Sequence, residues 1–483
     1  MSASPAAEID AAEDVRYAWR VFSVTSLGVI LTGLNSSTLE VGLPSVARHF
    51  HATPTQASWV LLSYLLVNTV LILVFGRLAD MLGRRRLYII GLATFTAASL
   101  GCGFAPSAWA LVGLRALQAV GASAIITNTT AQLTDAFPRR LLGTALGLNI
   151  TVISAAQIAG PVVGGTLVSQ LGWRWVFLFN VPVGVVGLCW AVITLRRTTS
   201  ALGSGSFDAR GAVLTVVWLS GLVIGLSEGG SQGWSHPAVV VSFAAAAVTL
   251  PAFVLWQRRV RDPLVDLSLF DDRARAVAYA SNFGLAVARY ALLLLASLFF
   301  QAAQGLSPLQ AGVRVTPLAI GLMLASPIAG QLASRLSARL LATTGIGIVA
   351  GGLSLMAVTV SPSTGYWPMG LALFLVGVGT GAFMTPNTSS IMSSVPATTR
   401  GVANGLRSML QNTGFVVSTA MSLAIVTSPL DAAEKRAAYA GTLSHLPGGE
   451  LGKYVGGYRT ALVVLLALCV LAGVASALRG SDR

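Results

Sequence analysis

The chain has 483 residues, of which 54% are hydrophobic and only 10% are charged. A soluble domain carries about 25% charged residues, so this composition excludes a soluble globular protein and indicates a protein with many membrane spans. The formal net charge of +14 does not indicate a nucleic-acid partner, because the basic residues are dispersed over short loops instead of forming one stripe.

Fourteen apolar stretches follow one another along the chain, and each is close to the roughly 20 residues that cross a bilayer core of about 30 Å. The sequence therefore predicts an all-α polytopic membrane protein, with a disordered cytoplasmic tail at 1–19 and an uncleaved first span. The predicted spans are 20–44, 57–79, 87–105, 108–133, 142–168, 175–195, 211–229, 237–256, 277–301, 311–334, 340–360, 367–392, 402–428 and 459–478.

The positions of the basic residues predict the orientation. If both termini are cytoplasmic, the inner segments hold 22 of the 31 lysines and arginines, and both lysines fall in the long outer loop 429–458. Short cytoplasmic loops carry an excess of lysine and arginine. We therefore expect a multi-pass protein of the cell membrane, with the lipid bilayer around it and both termini inside.

The loop between spans 2 and 3 reads GRLADMLGRRR from Gly76 to Arg86. It resembles the G-x-L-x-D-x-x-G-R-R/K loop of the major facilitator superfamily. Any short inner loop carries arginine, but the two glycines and the acid at the family's spacing are more specific. We expect an inner gate here in which Asp80 pairs with nearby arginines, formed by the residues Gly76, Asp80, Gly83, Arg84 and Arg85.

An internal repeat explains the number of spans. GQLASRLSAR at 330–339 aligns with GRLADMLGRR at 76–85 at an offset of 254 residues, and VPATTRGVANGL at 395–406 aligns with FPRRLLGTALGL at 137–148 at an offset of 258. Two loops repeating at nearly one offset predict two six-helix halves, 20–197 and 261–483, separated by an inserted two-helix segment at 198–260. Parallel halves around a central site are a transporter architecture.

Two further motifs lie within spans 4 and 5. Arg115 and Gln118 resemble the family's R-x-x-Q-G motif, with Ala119 in place of the usual glycine. A charge at mid-span is costly and is kept where it faces a cavity or a partner, although a structural arginine bonding to carbonyl groups is the alternative. The segment 156–165 is similar to the G-x-x-x-G-P-x-x-G-G motif of antiporters, with ordinary close packing as the alternative; its residues are Gly160, Pro161, Gly164 and Gly165.

Three stretches, at 173–184, 207–211 and 301–312, look like the 14-span drug:proton antiporter branch of the superfamily. This resemblance implies proton-coupled efflux, by alternating access, of lipophilic or amphiphilic small molecules such as drugs or antibiotics. It would make the protein a multidrug efflux pump that confers antibiotic resistance. An importer or lipid flippase of the same fold is the alternative, and a channel would not need repeated gating loops.

The first span departs from this branch, which usually reads L-D-x-T-x-x-N-x-A-L-P. Here Asn35 replaces the aspartate and cannot titrate, whereas Glu40 stands at the usual asparagine position. Glu40 lies about 140° around the helix from Asn35, so the two cannot occupy the same site. We expect Glu40, with Arg115, to couple protons to transport; an acid near outer water is the alternative. Glu228 closes span 7, where solvation is expected.

Polar residues deep in the spans are candidates for lining a substrate cavity, although for each singly a role in holding helices together is the stronger interpretation. These candidates are Asn35, Gln118, Asn149, Gln157, Arg289 and Asn387.

The sequence gives no sign of an enzyme, a cofactor, a metal site or a disulfide, because the histidines lie in or beside outer loops and the three cysteines fall singly in apolar runs. We expect a monomer with a small amphiphilic substrate and protons as partners.

Overall fold

The computed structural model describes residues 5–196, 208–261, 263–333, 335–396, 400–445 and 450–478, and within these ranges some side chains, including those of residues 5–14 and of Asp80, lie outside the description. In these ranges the chain forms 18 α-helices and two short 3-10 turns, and no strands. The helices are α1 Pro5–Phe50, α2 Pro54–Leu82, α3 Arg84–Gly103, α4 Ala108–Ala136, α5 Arg139–Leu171, α6 Trp175–Leu178, α7 Asn180–Thr194, α8 Ala209–Gln232, α9 Pro237–Gln257, α10 Arg273–Arg289, α11 Ala291–Ala302, α12 Pro308–Arg314, α13 Thr316–Leu332, α14 Ala338–Thr359, α15 Tyr366–Ser393, α16 Arg400–Thr427, α17 Ala432–Ala440 and α18 Glu450–Ala477. The 3-10 turns are Leu267–Phe270 and Leu443–His445.

Within the described ranges, fourteen helical segments are long and apolar enough to cross a membrane. They coincide with the fourteen predicted spans, so the predicted all-α polytopic fold is confirmed. The predicted tail differs, because α1 begins at Pro5 and its membrane-spanning part begins at Val15. The alanines and acids before Val15 favour a helix, since alanine has the highest helix propensity and acids complement the helix N-terminus.

Local sequence fixes where several helices start. Thr53 caps α2 in a reciprocal arrangement with Gln56, and Pro54 occupies the first turn. Such a cap satisfies amides that have no partner within the helix, and proline there loses nothing because its position needs no donor. At the joint between α2 and α3, Gly83 has a φ of 90°, a conformation that favours glycine.

The internal repeat is visible in the packing. In the first part of the chain α2 and α3 both pack against α4, and α1 packs against α5. In the last part α13 and α14 both pack against α15, and α10 packs against α16. Ser337 caps the start of α14, and Gly83 stands at the equivalent position before α3, 254 residues earlier. Two bundles with the same internal packing are what the repeated loops predict.

The two bundles meet most extensively along two contacts, with smaller contacts of α1 against α11 and α17. Helix α5 packs against α12, and α2 packs against α16. The first inserted helix, α8, packs against its neighbour α9 and against both α2 and α16. The inserted pair therefore stands beside one of the two larger contacts between the bundles. The division at 198–260 and its neighbours remains a prediction, because residues 197–207 lie outside the description.

Some spans are not single helices. Span 9 divides at Tyr290 into α10 and α11, and span 10 divides at Val315 into α12 and α13. The outer loop predicted at 429–458 also contains a helix, α17, which begins with an Asp431 cap and ends at Gly441 in the left-handed conformation. Both joints inside the spans keep right-handed helical backbone angles, and at the first of them the Ala291 amide donates to Ser418 Oγ of α16 at 3.0 Å.

Candidate functional site

A buried polar network connects α1, α3, α4 and α7. The Gln118 amide donates to Asn35 Oδ1 at 3.1 Å and to Ser99 Oγ at 2.7 Å, and Asn180 donates to the same Asn35 oxygen at 3.4 Å. All four side chains are fully buried. Asn35 and Gln118, both predicted as cavity residues, therefore lie inside the first bundle, where they hold helices together.

Arg115 extends this network toward the centre of the protein. Its side chain is 1% exposed, its Nε donates to the Val60 carbonyl at 3.2 Å, and its Nη1 donates to Gln118 Oε1 at 2.5 Å. The guanidinium also lies 4.1 Å from the centre of the Tyr64 ring. Placing an arginine at mid-span costs about 2.5–3.5 kcal/mol or more, and hydrogen bonds from a charged donor recover about 1.5–3 kcal/mol each.

A small cavity lies beside Arg115 at the junction of the two bundles, and its empty space of about 280 Å³ includes solvent outside the cavity. Its walls come from α1, α2 and α4 on one side and from α11 and α16 on the other. The lining residues are Ser36, Glu40, Leu61, Tyr64, Leu65, Arg115, Leu294, Phe415 and Thr419. The structure thus brings the two predicted coupling residues, Glu40 and Arg115, to one cavity.

Glu40 is 8% exposed, and among the described residues it makes no hydrogen bond or ion pair with another side chain. It shares the cavity with Arg115 without an ion pair of 4 Å or less between them. Asn35 faces Gln118 and Asn180 instead. Glu40 and Asn35 therefore lie on different faces of α1, as their spacing predicts: Glu40 faces the cavity and Asn35 faces the interior of the first bundle.

The second bundle contributes a polar cluster of Arg289, Tyr290, Arg407 and Gln411, and of these residues Arg289 is one of the predicted cavity candidates. Arg407 on α16 donates to Gln411 Oε1 at 2.8 Å, and the Gln411 amide donates to the Tyr290 hydroxyl. Arg289 lies over the Tyr290 ring with its Cζ 3.9 Å from the ring centre. Tyr290 in turn stacks on Phe415, whose ring centre is 4.6 Å away. Because Phe415 lines the cavity, this cluster is continuous with it.

The glycines of the predicted antiporter motif permit two close approaches of α5. A Cβ atom at Gly160 would lie 1.7 Å from Ser37 Oγ, and one at Gly164 would lie 2.6 Å from the Thr38 carbonyl oxygen, both on α1. A Cβ atom at Gly165 would lie 2.6 Å from the Pro308 carbonyl oxygen at the start of α12. The motif therefore lets α5 pack closely against its own bundle and against the other one.

Pro161 belongs to the second of these approaches. It lies inside α5, and a Cβ atom at Gly312 of α12 would meet the Pro161 carbonyl oxygen at 2.2 Å. The predicted antiporter helix is thus a contact between the bundles.

The loop after α2 makes contacts at the opposite ends of the helices. Arg84 pairs with Asp135 of α4 at 2.6 Å, and Arg85 donates to the Leu195 carbonyl beyond α7 at 2.6 Å. A Cβ atom at Gly76 would make only an ordinary contact, at 3.6 Å from Thr127. The side chain of Asp80 lies outside the described part of the structure, so its gating pair remains a prediction.

The remaining cavity candidates do not line the cavity. Asn387 donates to the Ala278 carbonyl at 3.2 Å and connects α15 with α10. Asn149 is buried on α5, and Gln157 is exposed on the same helix. The prediction that Glu228 is solvated is wrong, because its side chain is 7% exposed and accepts a hydrogen bond from Trp59 at 3.1 Å. A neighbouring helix, which the sequence pattern does not reveal, covers it.

Hydrogen bonds close the bundles against each other at the end where α1 stops and α2 begins. Arg48 donates to the Ala440 carbonyl at the end of α17, and Gln301 of α11 donates to the Val41 carbonyl of α1 at 3.0 Å. Lys435 of α17 donates to the Gly230 carbonyl of the inserted helix α8 at 2.8 Å. The loop segment around α17 therefore connects both bundles and the inserted pair at this end.

Comparisons with known proteins agree with this architecture. Over 409 residues the chain is 32% identical to the "Multidrug resistance protein Stp" of Mycobacterium tuberculosis, an alignment covering 84% of this chain and 76% of that protein. It is 28% identical to the "Tetracenomycin C resistance and export protein" of Streptomyces glaucescens, with 83% of this chain and 75% of that protein covered.

A solved structure has the same fold. It is the inward-facing, unoccupied form of a bacterial homolog of the human lysosomal transporter Spinster, with a TM-score of 0.65, 16% identity and coverage of 96% of this chain and 97% of that one. The family model described as Major Facilitator Superfamily matches residues 25–419, well over half of the chain. The chain is therefore a multi-pass membrane transporter that belongs to the major facilitator superfamily.

Proposed function

We propose that this transporter exports lipophilic or amphiphilic compounds, such as drugs or antibiotics, across the cytoplasmic membrane in exchange for protons. The observation that carries the proposal is the cavity between the bundles, whose lining includes one acid, Glu40, and one arginine, Arg115. The names of the two relatives, a multidrug resistance protein and an antibiotic resistance and export protein, support the substrate class.

The charges in the cavity suggest how a proton and a substrate compete. With Glu40 ionised, the Glu40 and Arg115 charges sum to zero; with Glu40 protonated, the cavity carries the charge of Arg115 alone. A proton therefore changes how well the cavity holds a charged or polar ligand, and it shifts the balance between conformations that solvate Glu40 differently. Glu40 is the proton carrier in this scheme, and Arg115 sets the potential at the carboxylate.

Alternating access requires that the contacts between the bundles at the outer end and those at the inner end open in turn. The contacts of α5 with α12 and of α17 with α1 lie at the end predicted to face outward. Their closure supports an inward-facing state with both termini cytoplasmic. In the opposite state the loop after α2, with Asp80 and the arginines that follow, forms the inner gate that holds the bundles together.

The membrane potential supplies enough energy for this work. One charge crossing 100 mV is worth about 2.3 kcal/mol, and about 1.4 kcal/mol corresponds to a factor of ten. One proton exchanged for a neutral molecule therefore supports a gradient of about 40-fold. A monovalent cation exchanged for one proton moves no net charge and gains only from the pH difference.

Transport in proteoliposomes tests the proposal. Wild-type protein should accumulate a fluorescent amphiphile against its gradient when protons flow the other way, and an uncoupler should stop it. Glu40→Gln should abolish uphill movement but keep downhill exchange. Glu228→Gln is the matched control, because Glu228 is buried to a similar degree but lies outside this cavity.

Three results would contradict the proposal. Uncoupler-sensitive uphill transport by Glu40→Gln would place the proton carrier elsewhere, and its loss in Glu228→Gln alone would assign it to Glu228. Uphill movement of substrate in the same direction as the protons would indicate an importer. Movement of phospholipid without a proton dependence would indicate a lipid transporter.

A further inference from the structure

The polar cluster of Arg289, Tyr290, Arg407 and Gln411 holds two positive charges within the spans. Arg289 lies at the break between α10 and α11, in the middle of span 9. Arg407 lies seven residues after the start of α16, about 10 Å along the helix. Neither arginine forms an ion pair of 4 Å or less with an acid of the described chain. Within the described residues, the second bundle thus places positive charge beside the cavity without a carboxylate in an ion pair to balance it.

The hydrogen bonds of these arginines all go to uncharged groups. Arg407 donates to Asn404 at 3.1 Å, to Gln411 at 2.8 Å and to Ser408 at 3.4 Å. Arg289 donates to the thioether of Met384 at 3.7 Å, and a thioether is a weak acceptor. A guanidinium carries five N–H donors in a planar fork that fits a carboxylate or sulfonate. Donors of both arginines are therefore left for an anionic ligand.

The geometry joins the two charges to the cavity. Arg289 lies over one face of the Tyr290 ring, and Arg407 reaches the Tyr290 hydroxyl through Gln411. The Tyr290 ring stacks on Phe415 with an angle of 19° between the planes. Phe415 belongs to the cavity wall that also holds Glu40. A ligand with an aromatic body and an acidic group matches this order of an aromatic wall followed by a pair of arginines.

We propose that Arg289, Arg407 and Tyr290 form a subsite for the anionic group of an aromatic amphiphile, whose ring system stacks in the cavity beside Phe415. The subsite rests on the proposed export function and specifies one substrate class for it, aromatic acids such as carboxylates or sulfonates. It also gives the positive charge of the second bundle a role distinct from that of Arg115, which is held by the first bundle.

Equilibrium binding to the full-length protein in nanodiscs tests the subsite without any proton gradient. The probes are 1-anilinonaphthalene-8-sulfonate and N-phenyl-1-naphthylamine, which share one ring system and differ by the sulfonate. Each is measured by energy transfer from protein tryptophan, with empty nanodiscs subtracted. Binding is measured in nanodiscs of phosphatidylcholine alone and in nanodiscs that also contain phosphatidylglycerol. If the anionic lipid headgroup binds the same arginines, phosphatidylglycerol will displace the sulfonate probe, and this outcome distinguishes a lipid site from a site for a soluble acid.

The double variant Arg289→Gln with Arg407→Gln should weaken sulfonate binding by at least about tenfold and change binding of the neutral amine less than about twofold. Arg314→Gln is the control, because Arg314 also lies in a span but contacts Gln304, Phe300 and Tyr366. Arg407→Lys keeps the charge and should retain part of the sulfonate affinity even if the double variant unfolds.

The proposal is overturned if both probes lose affinity equally, if neither loses affinity, or if wild-type protein binds no sulfonate. Displacement of the sulfonate by phosphatidylglycerol would assign the subsite to lipid and overturn the substrate class. Since no proton gradient enters the measurement, a protein that fails to couple protons still gives a decisive binding result.

Discussion

Gly165 provides a direct test of the contact between the bundles. A Cβ atom at this position of α5 would lie 2.6 Å from the Pro308 carbonyl oxygen and 2.8 Å from the Leu309 Cα at the start of α12. Both are backbone atoms, which cannot move aside as the end of a flexible side chain can. Gly165→Ala should therefore weaken this contact wherever α5 and α12 touch.

The size of the effect follows from the cost of overpacking. Inserting a methyl group into a well-packed contact costs about 1–3 kcal/mol. In an alternating-access protein that cost applies only to the state in which α5 touches α12. A difference of this size shifts the balance between two states by about 5- to 150-fold. We expect Gly165→Ala to populate the state that is open at this end.

Distance measurements between spin labels report the shift. Labels at Gln170, at the end of α5, and Val313, on α12, are both on exposed positions, and the exposed native cysteine Cys189 is first replaced by serine. Gly164→Ala is the matched control, because its Cβ atom would meet Thr38 of α1, in the bundle to which α5 itself belongs.

Gly164→Ala should lower stability in both states and leave the distance distribution unchanged. Gly165→Ala should add a longer distance. If folded Gly165→Ala protein gives the wild-type distribution, then this contact does not separate during transport, and the account of α5 as a moving surface is wrong.

Three further predictions concern other parts of the chain. Asp80→Asn should slow transport without reducing the amount of folded protein, because the inner gate then loses its acid; wild-type rates in well-folded protein would refute that gate. Arg115→Lys keeps the charge but loses the planar fork that reaches Val60 and Gln118, so transport per folded molecule should fall at least about tenfold; a loss matched by the loss of folded protein would indicate a structural role only. The backbone amide of Glu434 donates to Asp431 and lowers the pKa of its carboxyl, so the ionised cap stabilises α17 at pH values above the usual pKa of an aspartate, and this stabilisation is lost as the pH falls through the lowered pKa. Asp431→Ala should therefore speed amide exchange in 432–440. Unchanged exchange would show that the cap is not needed.

The sequence predicts the fold well because span length and loop charge are local properties. The loop from Gly76 to Arg86 and its repeat at 330–339 locate the joints at Gly83 and Ser337, and these joints occur where the repeat places them. The fourteen spans follow from apolar length alone. Such features need no knowledge of which helices meet.

The site was harder to predict, because it depends on contacts between distant residues. Gln118 meets Asn35 across 83 positions of sequence, so no local pattern separates a residue that holds helices together from one that lines a cavity. Arg407 lies only five residues inside the predicted span 402–428, and the depth of its side chain within the membrane cannot be read from composition. The break at Tyr290 has no proline or glycine beside it, so it gives no local signal.

Substrate-driven proton movement is the most direct measurement of proton-coupled export through Glu40. Proteoliposomes containing a pH-sensitive dye are given a transported amphiphile with no imposed pH gradient, and the proton flux is followed. Wild-type protein should move protons opposite to the amphiphile, and Glu40→Gln should move the amphiphile down its gradient without protons. Equal proton movement by the Glu40→Gln variant would contradict the role of Glu40, and amphiphile movement without protons in the wild type would contradict proton-coupled export.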